Sequence, residues 1–192
     1  MSELIDNVFR GLGITITSET YERGRQILED VRRHGRERFA ELRGGVRRSP
    51  ECTARIRAEI HLVAPRFAKH DGVDYDEANC DWLMIPSYPL PERRWRARFC
   101  KLMVIFPSAY PLTPPVGFFL NHKLTLRNGF HDGHLIGTGL HGAPDISAHQ
   151  WFWYCVTVNE HARGGWHPSS HYDEPDNLHT YLDLVREVLT ND

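Results

Sequence analysis

The spacing of apolar residues changes along this chain, and the changes mark its elements. After Ser18, which can cap a helix, Tyr21, Ile27, Leu28, Val31, Phe39 and Leu42 recur at loosely helical intervals. They predict a helix that Gly24 and Gly35 weaken by about 1 kcal/mol each and that Gly44-Gly45 stops. A second helix is predicted from Ser49-Pro50, a cap followed by proline in the first turn. Ala54, Ile56, Ile60, Leu62 and Val63 give it an apolar side, and Pro65 ends it. Residues 69–79 are polar and acidic, with Asp71-Gly72 as a turn signal.

The period then shortens. The run Cys80 to Ile85 reads as a strand, Pro86 to Arg94 as a connection, and Trp95 to Phe106 as a longer strand with partial alternation. With residues 116–120 these predict an antiparallel meander of at least three strands. From Asn121 to Gln150 the chain is loop-like and rich in Gly and His, a length that in a compact domain tends to be functional. Trp151 to Val158 is a dense apolar run that carries Cys155 and also reads as a core strand. A last helix is predicted from about Asp176 to Leu189, with Leu178, Tyr181, Leu182, Val185 and Leu189 on one stripe and Asp173 or Asp176 as its cap.

Between the second and third strands lies Tyr110-Pro111-Leu112-Thr113-Pro114-Pro115. Three prolines remove three backbone donors and fix three φ angles. Residues before proline are pushed out of the helical region, so Tyr110, Thr113 and Pro114 are expected to be extended, in a rigid polyproline-like link. Tyr110 is expected to pack its ring on the turn.

Composition adds limits. A chain of 192 residues fits one domain with an appended helix and can bury its own core. The net charge of −2 argues against a dedicated nucleic-acid binder. The arginine-rich stretch from Arg23 to Arg48 contains interspersed acids and reads as a solvated helix face. Its arginines, Arg32, Arg33, Arg36, Arg38, Arg43, Arg47 and Arg48, lack the interleaved aromatics of a nucleic-acid surface. No apolar run reaches membrane-spanning length, and residues 1–6 lack the basic and apolar regions of a signal peptide. Cys52, Cys80, Cys100 and Cys155 are widely spaced with no CxxC pair, as expected of reduced thiols in a cytoplasmic protein, at most one of which has a chemical role.

The order of helix, strand meander, Tyr-Pro-x-x-Pro-Pro, long loop with a cysteine, Trp-x-Pro and helix resembles the ubiquitin-conjugating (UBC-like) enzymes, in particular their divergent bacterial branch. The resemblance covers roughly residues 50–192. Arg55-Ile56 stands about sixty positions before Pro115, and Cys155 lies 11 positions before Trp166 in Trp166-His167-Pro168. The family's His-Pro-Asn tripeptide before the cysteine is absent. The nearest polar residues are His141, Asp145, Ser147 and His149 upstream, with Asn159 and His161 downstream.

The resemblance implies an α+β, UBC-like fold, a four-stranded antiparallel meander packed on helices. The domain would span 49–192, after an N-terminal helical extension over 1–48. It implies acyl transfer: Cys155 accepts the C-terminal glycyl group of a ubiquitin-like modifier from an adenylating activating enzyme, and an amine on a target protein then attacks the thioester. The tetrahedral oxyanion needs a positioned donor, for which His149 and Asn159 are the candidates. No cofactor and no metal are expected. An inactive relative that binds a ubiquitin-like protein or scaffolds a complex is the alternative. A third reading, a metal-dependent hydrolase, would require His131, Asp132, His134, His141 and His149 to converge on zinc, although the chain has no HExxH pair.

Overall fold

A computed structural model of the chain describes residues 48–130, 133–135, 146–147, 150–156 and 165–190. Helix α1 spans Pro50–Val63. Its start is the predicted one: the Ser49 hydroxyl accepts the Cys52 N–H at 3.2 Å, with Pro50 in the first turn. Ile56, Glu59, Ile60 and Val63 are its buried residues, spaced i, i+3, i+4, i+7 as one face requires. The chain tightens into a 3₁₀ turn at Ala64–Phe67 beyond it.

Five strands follow, β1 at Asp74–Tyr75, β2 at Trp82–Pro89, β3 at Phe99–Ile105, β4 at Gly117–Leu120 and β5 at Phe152–Cys155. They form one antiparallel sheet in the order β1-β2-β3-β4-β5. The expected meander is therefore present with one strand more than the four predicted. The two residues of β1 lie inside the polar stretch after Asp71 and Gly72, both of which take positive φ. The β2–β3 register shifts between Ile85 and Tyr88, where Pro86 has no N–H to give the ladder. The predicted strand from Trp95 starts later, at Phe99. Trp95 instead makes an isolated bridge to Leu126 and is buried, its indole N–H donating to the Leu189 carbonyl at 2.7 Å.

Helix α2, Leu178–Thr190, buries Leu178, Tyr181, Leu182, Leu184, Val185, Val188 and Leu189. The sheet's inner face meets it and α1 through Leu83, Ile85, Leu102, Val104, Phe118, Leu120 and Tyr154. Phe118 and Tyr154, cross-strand partners, stack with centroids 5.5 Å apart. Alternation turns Met103, Phe119 and Trp153 to the other face, where they form a row across β3, β4 and β5 and are also buried. No described helix is long and apolar enough to cross a membrane.

Three local expectations are corrected. The first half of the Tyr-Pro-x-x-Pro-Pro segment, through Leu112, does not run as an extended polyproline link. It folds into turns, with Tyr110 N–H on the Pro107 carbonyl and Thr113 N–H on the Ala109 carbonyl, both at 3.1 Å, around a cis Tyr110–Pro111 bond. The cap of α2 is Asn177 and neither aspartate: its side-chain oxygen accepts from the His179 and Thr180 N–H groups at 2.9 and 3.1 Å. Asp176 binds the His167 N–H instead. Arg48 belongs to no solvated face. Its side chain is 1% exposed, pairs with Asp81 at 3.2 Å and donates to the Phe106 and Pro107 carbonyls. The rest of the helical extension expected over 1–48 lies outside the described residues.

Candidate active site

The scaffold of the site starts from one buried carboxylate. Glu59, wholly buried on α1, accepts from the Arg55 guanidinium and the Tyr110 hydroxyl, and its second oxygen also takes the Leu178 N–H at 2.7 Å. One side chain thereby ties together α1, the proline turn and the first residue of α2. Arg55 extends the tie by donating to the Ser169 carbonyl at 2.9 Å. Such a charge is tolerable in the interior because both oxygens are paired. Burial, then the neighbouring Glu59 charge, pushes the Tyr110 phenol well above its ordinary range, so it stays a donor.

Trp166 is held from the same turn. Its indole N–H donates to the Pro111 carbonyl at 2.6 Å, and its ring lies 6.4 Å from that of Tyr110. The Trp-His-Pro segment is thus anchored to the proline turn that the sequence pairs with it only by order.

The four cysteines separate by environment. Cys80 and Cys100 are buried, and burial pushes both thiols up, Cys100 to about 12, so neither ionises readily. Cys52 is half-buried on α1 and donates its thiol to the Tyr110 carbonyl at 3.0 Å. Cys155 is half-buried at the last position of β5. It pairs with Gly117 of β4, which brings no side chain beside it. The Trp153 indole fills the space over that glycine: a Cβ there would meet the indole nitrogen and the Tyr154 carbonyl closer than real Cβ atoms approach.

On the opposite flank of β5 the chain returns. Leu135 bridges Tyr154 in antiparallel sense, and the Cys155 N–H donates to the His134 carbonyl at 3.0 Å. His134 therefore stands across from Cys155. The sequence pointed to His134 only as one member of a possible metal cluster. The short apolar pair Leu135-Ile136 inside a Gly-rich loop is the signal that could have suggested a paired segment.

Of the candidate residues named from the sequence, His149 and Asn159 lie outside the described residues, as do His131, Asp132, His141, Asp145 and His161. Ser147 is placed just before β5, its carbonyl accepting the Gln150 N–H at 2.9 Å. Among the described residues no three His, Cys, Asp or Glu side chains group as a metal site would.

Comparison with known families decides the wider frame. Residues 63–192 match the family described as Prokaryotic E2 family E. The chain belongs to that family. No curated protein matches, and no solved structure does. The matched span of family E includes the sheet, Cys155, Trp166 and α2, and the five-stranded sheet with its helices is compatible with an E2-like fold. Cys52 falls before it.

Proposed function

We propose that this family E protein is a conjugating enzyme that carries a ubiquitin-like modifier on Cys155. The observation that carries this reading is the sorting of the cysteines. Cys80 and Cys100 are buried thiols with raised pKa, and Cys52 precedes the family match and is hydrogen-bonded into the proline turn. Cys155 alone is half-buried within the matched span, and it precedes the anchored Trp166.

In the proposed cycle an adenylating activating enzyme delivers the modifier's terminal glycyl group to the Cys155 thiolate, the form in which cysteine is nucleophilic. An amine of a target protein then attacks the thioester. The oxyanion so formed needs a donor, and His149 or Asn159 is proposed for it in place of the missing His-Pro-Asn. The chain is proposed as a cytoplasmic protein needing no cofactor of its own, with its conjugating domain over 49–192.

The missing tripeptide also favours a second reading, an inactive module that binds a ubiquitin-like protein or scaffolds a complex. Mass spectrometry separates the two. The protein is incubated with ATP and an activating enzyme and modifier from its own genome, with and without reductant. The expected result is a reductant-sensitive adduct that Cys155→Ala abolishes. If the activating enzyme is charged and no adduct reaches this protein, the carrier reading fails and the binding module replaces it.

A further inference from the structure

The cross-strand neighbour of Cys155 is a residue with acid–base chemistry. Leu135 forms an isolated antiparallel bridge to Tyr154 and both pack with the inner core, while His134 stands in the turn just before that bridge, across from Cys155. The 3.0 Å bond from the Cys155 N–H to the His134 carbonyl fixes the two residues opposite each other. Side chains at directly opposed positions have Cβ atoms about 4.5–5.5 Å apart, within reach of an imidazole and a group bound to sulfur. Both residues are half-buried, so the pair is neither sealed off nor freely solvated. Gly117, on the other flank, brings no titratable side chain.

We propose that His134 accepts the proton of the amine that attacks the Cys155 thioester. The proposal rests on Cys155 being the carrier. The amine lone pair forms the C–N bond at the thioester carbonyl carbon, and the C–O π pair moves to oxygen. A proton passes from that nitrogen to the neutral imidazole. The oxygen pair then returns, the C–S bond breaks, and Cys155 leaves as thiolate, which takes the proton back from the imidazolium. The products are an amide and the free thiol, with no electrons gained or lost. Histidine suits the step because its ordinary pKa lies close to neutral pH. Placement by a backbone hydrogen bond substitutes for a motif beside the cysteine in sequence.

The test charges the full-length protein from a short glycine-terminated peptide supplied as a small-molecule thioester, then discharges it with either lysine or hydroxylamine. Lysine is mostly protonated at neutral pH and needs help losing protons, whereas hydroxylamine is already a free nucleophile. For His134→Ala, discharge to lysine is expected to fall by about 100-fold or more, the range of a lost general base, and discharge to hydroxylamine by less than about fivefold. His134→Gln, which keeps the bulk without the basic nitrogen, should show the same split, and it decides the matter if the alanine variant melts early. An unchanged ratio between the two nucleophiles in a folded, charged variant overturns the role of His134 and leaves the carrier reading standing. Failure of the unmodified protein to be charged on Cys155 removes both.

Discussion

Two regions among the described residues, the Glu59 network and the end of β5, differ in how tightly they are held. Around Glu59, three donors from three segments converge on one carboxylate with no exposure to solvent. At the end of β5, Cys155 is held by its backbone, through the Gly117 register on one side and the His134 carbonyl on the other. The first arrangement fixes the path of the chain after the site, from Trp166 to Leu178. The second leaves Cys155 half-buried at the end of its strand. Positioning by strand pairing constrains the backbone of Cys155.

The contrast is broken most severely by Glu59→Ala. It strands the Arg55 charge and leaves the Tyr110 hydroxyl and the Leu178 N–H without their acceptor. Removing one partner of a buried, hydrogen-bonded pair costs about 3–5 kcal/mol. Urea denaturation should show a loss of that size. Below the unfolding transition the alkylation rate of Cys155 should change little, because its backbone hydrogen bonds run to β4 and to His134 and not to the Glu59 network. A variant that remained as stable as the parent would mean that the Glu59 network contributes no net stability.

Gly117→Ala acts at the other region with a smaller global effect. The added methyl has to displace the Trp153 indole or the Tyr154 carbonyl, on the strand that carries Cys155. Overpacking of this kind costs about 1–3 kcal/mol. Here stability and site are expected to move together, with Cys155 alkylation altered by more than in Glu59→Ala. If Glu59→Ala perturbed Cys155 more than Gly117→Ala did, the division between scaffold and site would be wrong.

What the sequence disclosed follows the range of the interactions. The start of α1 is local, a serine three residues from the N–H it caps, and it was legible, as was the apolar stripe of α2. The strands β2 to β4 were legible as runs, with ends displaced where Trp95 leaves the ladder to reach Leu189. Strand β1 was not, since two half-buried residues in a polar stretch have no period to read. The Glu59 hub was invisible because its partners Tyr110 and Leu178 stand 51 and 119 positions away. Tyr110 reads as a ring packed on its own turn, and it does lie against Phe106, but its hydroxyl belongs to α1. Cys155 was singled out by spacing to Trp166, while its neighbour His134 depends on a pairing across a long loop. Sequence proximity drew attention to His149 and Asn159, and the ladder brings in a residue 21 positions before the cysteine.

The smallest effect is expected on the inner face of α2. The Tyr181 ring is fully buried, and its hydroxyl has no hydrogen-bond partner among the described residues. Burial pushes the phenol well above its ordinary range, with the Cys155 charge a lesser contribution in the same direction. A buried hydroxyl without a partner costs about 1–3 kcal/mol of desolvation, and deleting it leaves the ring's packing in place. Tyr181→Phe should therefore be neutral or raise stability by about 1 kcal/mol, the lower end of that penalty. Chemical denaturation at neutral pH gives the sign. A loss beyond about 1 kcal/mol, the typical net value of a hydrogen bond, would show that the hydroxyl is satisfied in solution. The inner face of α2 would then join Glu59 as a polar anchor, and the contrast between a tied scaffold and a lightly held site would sharpen further.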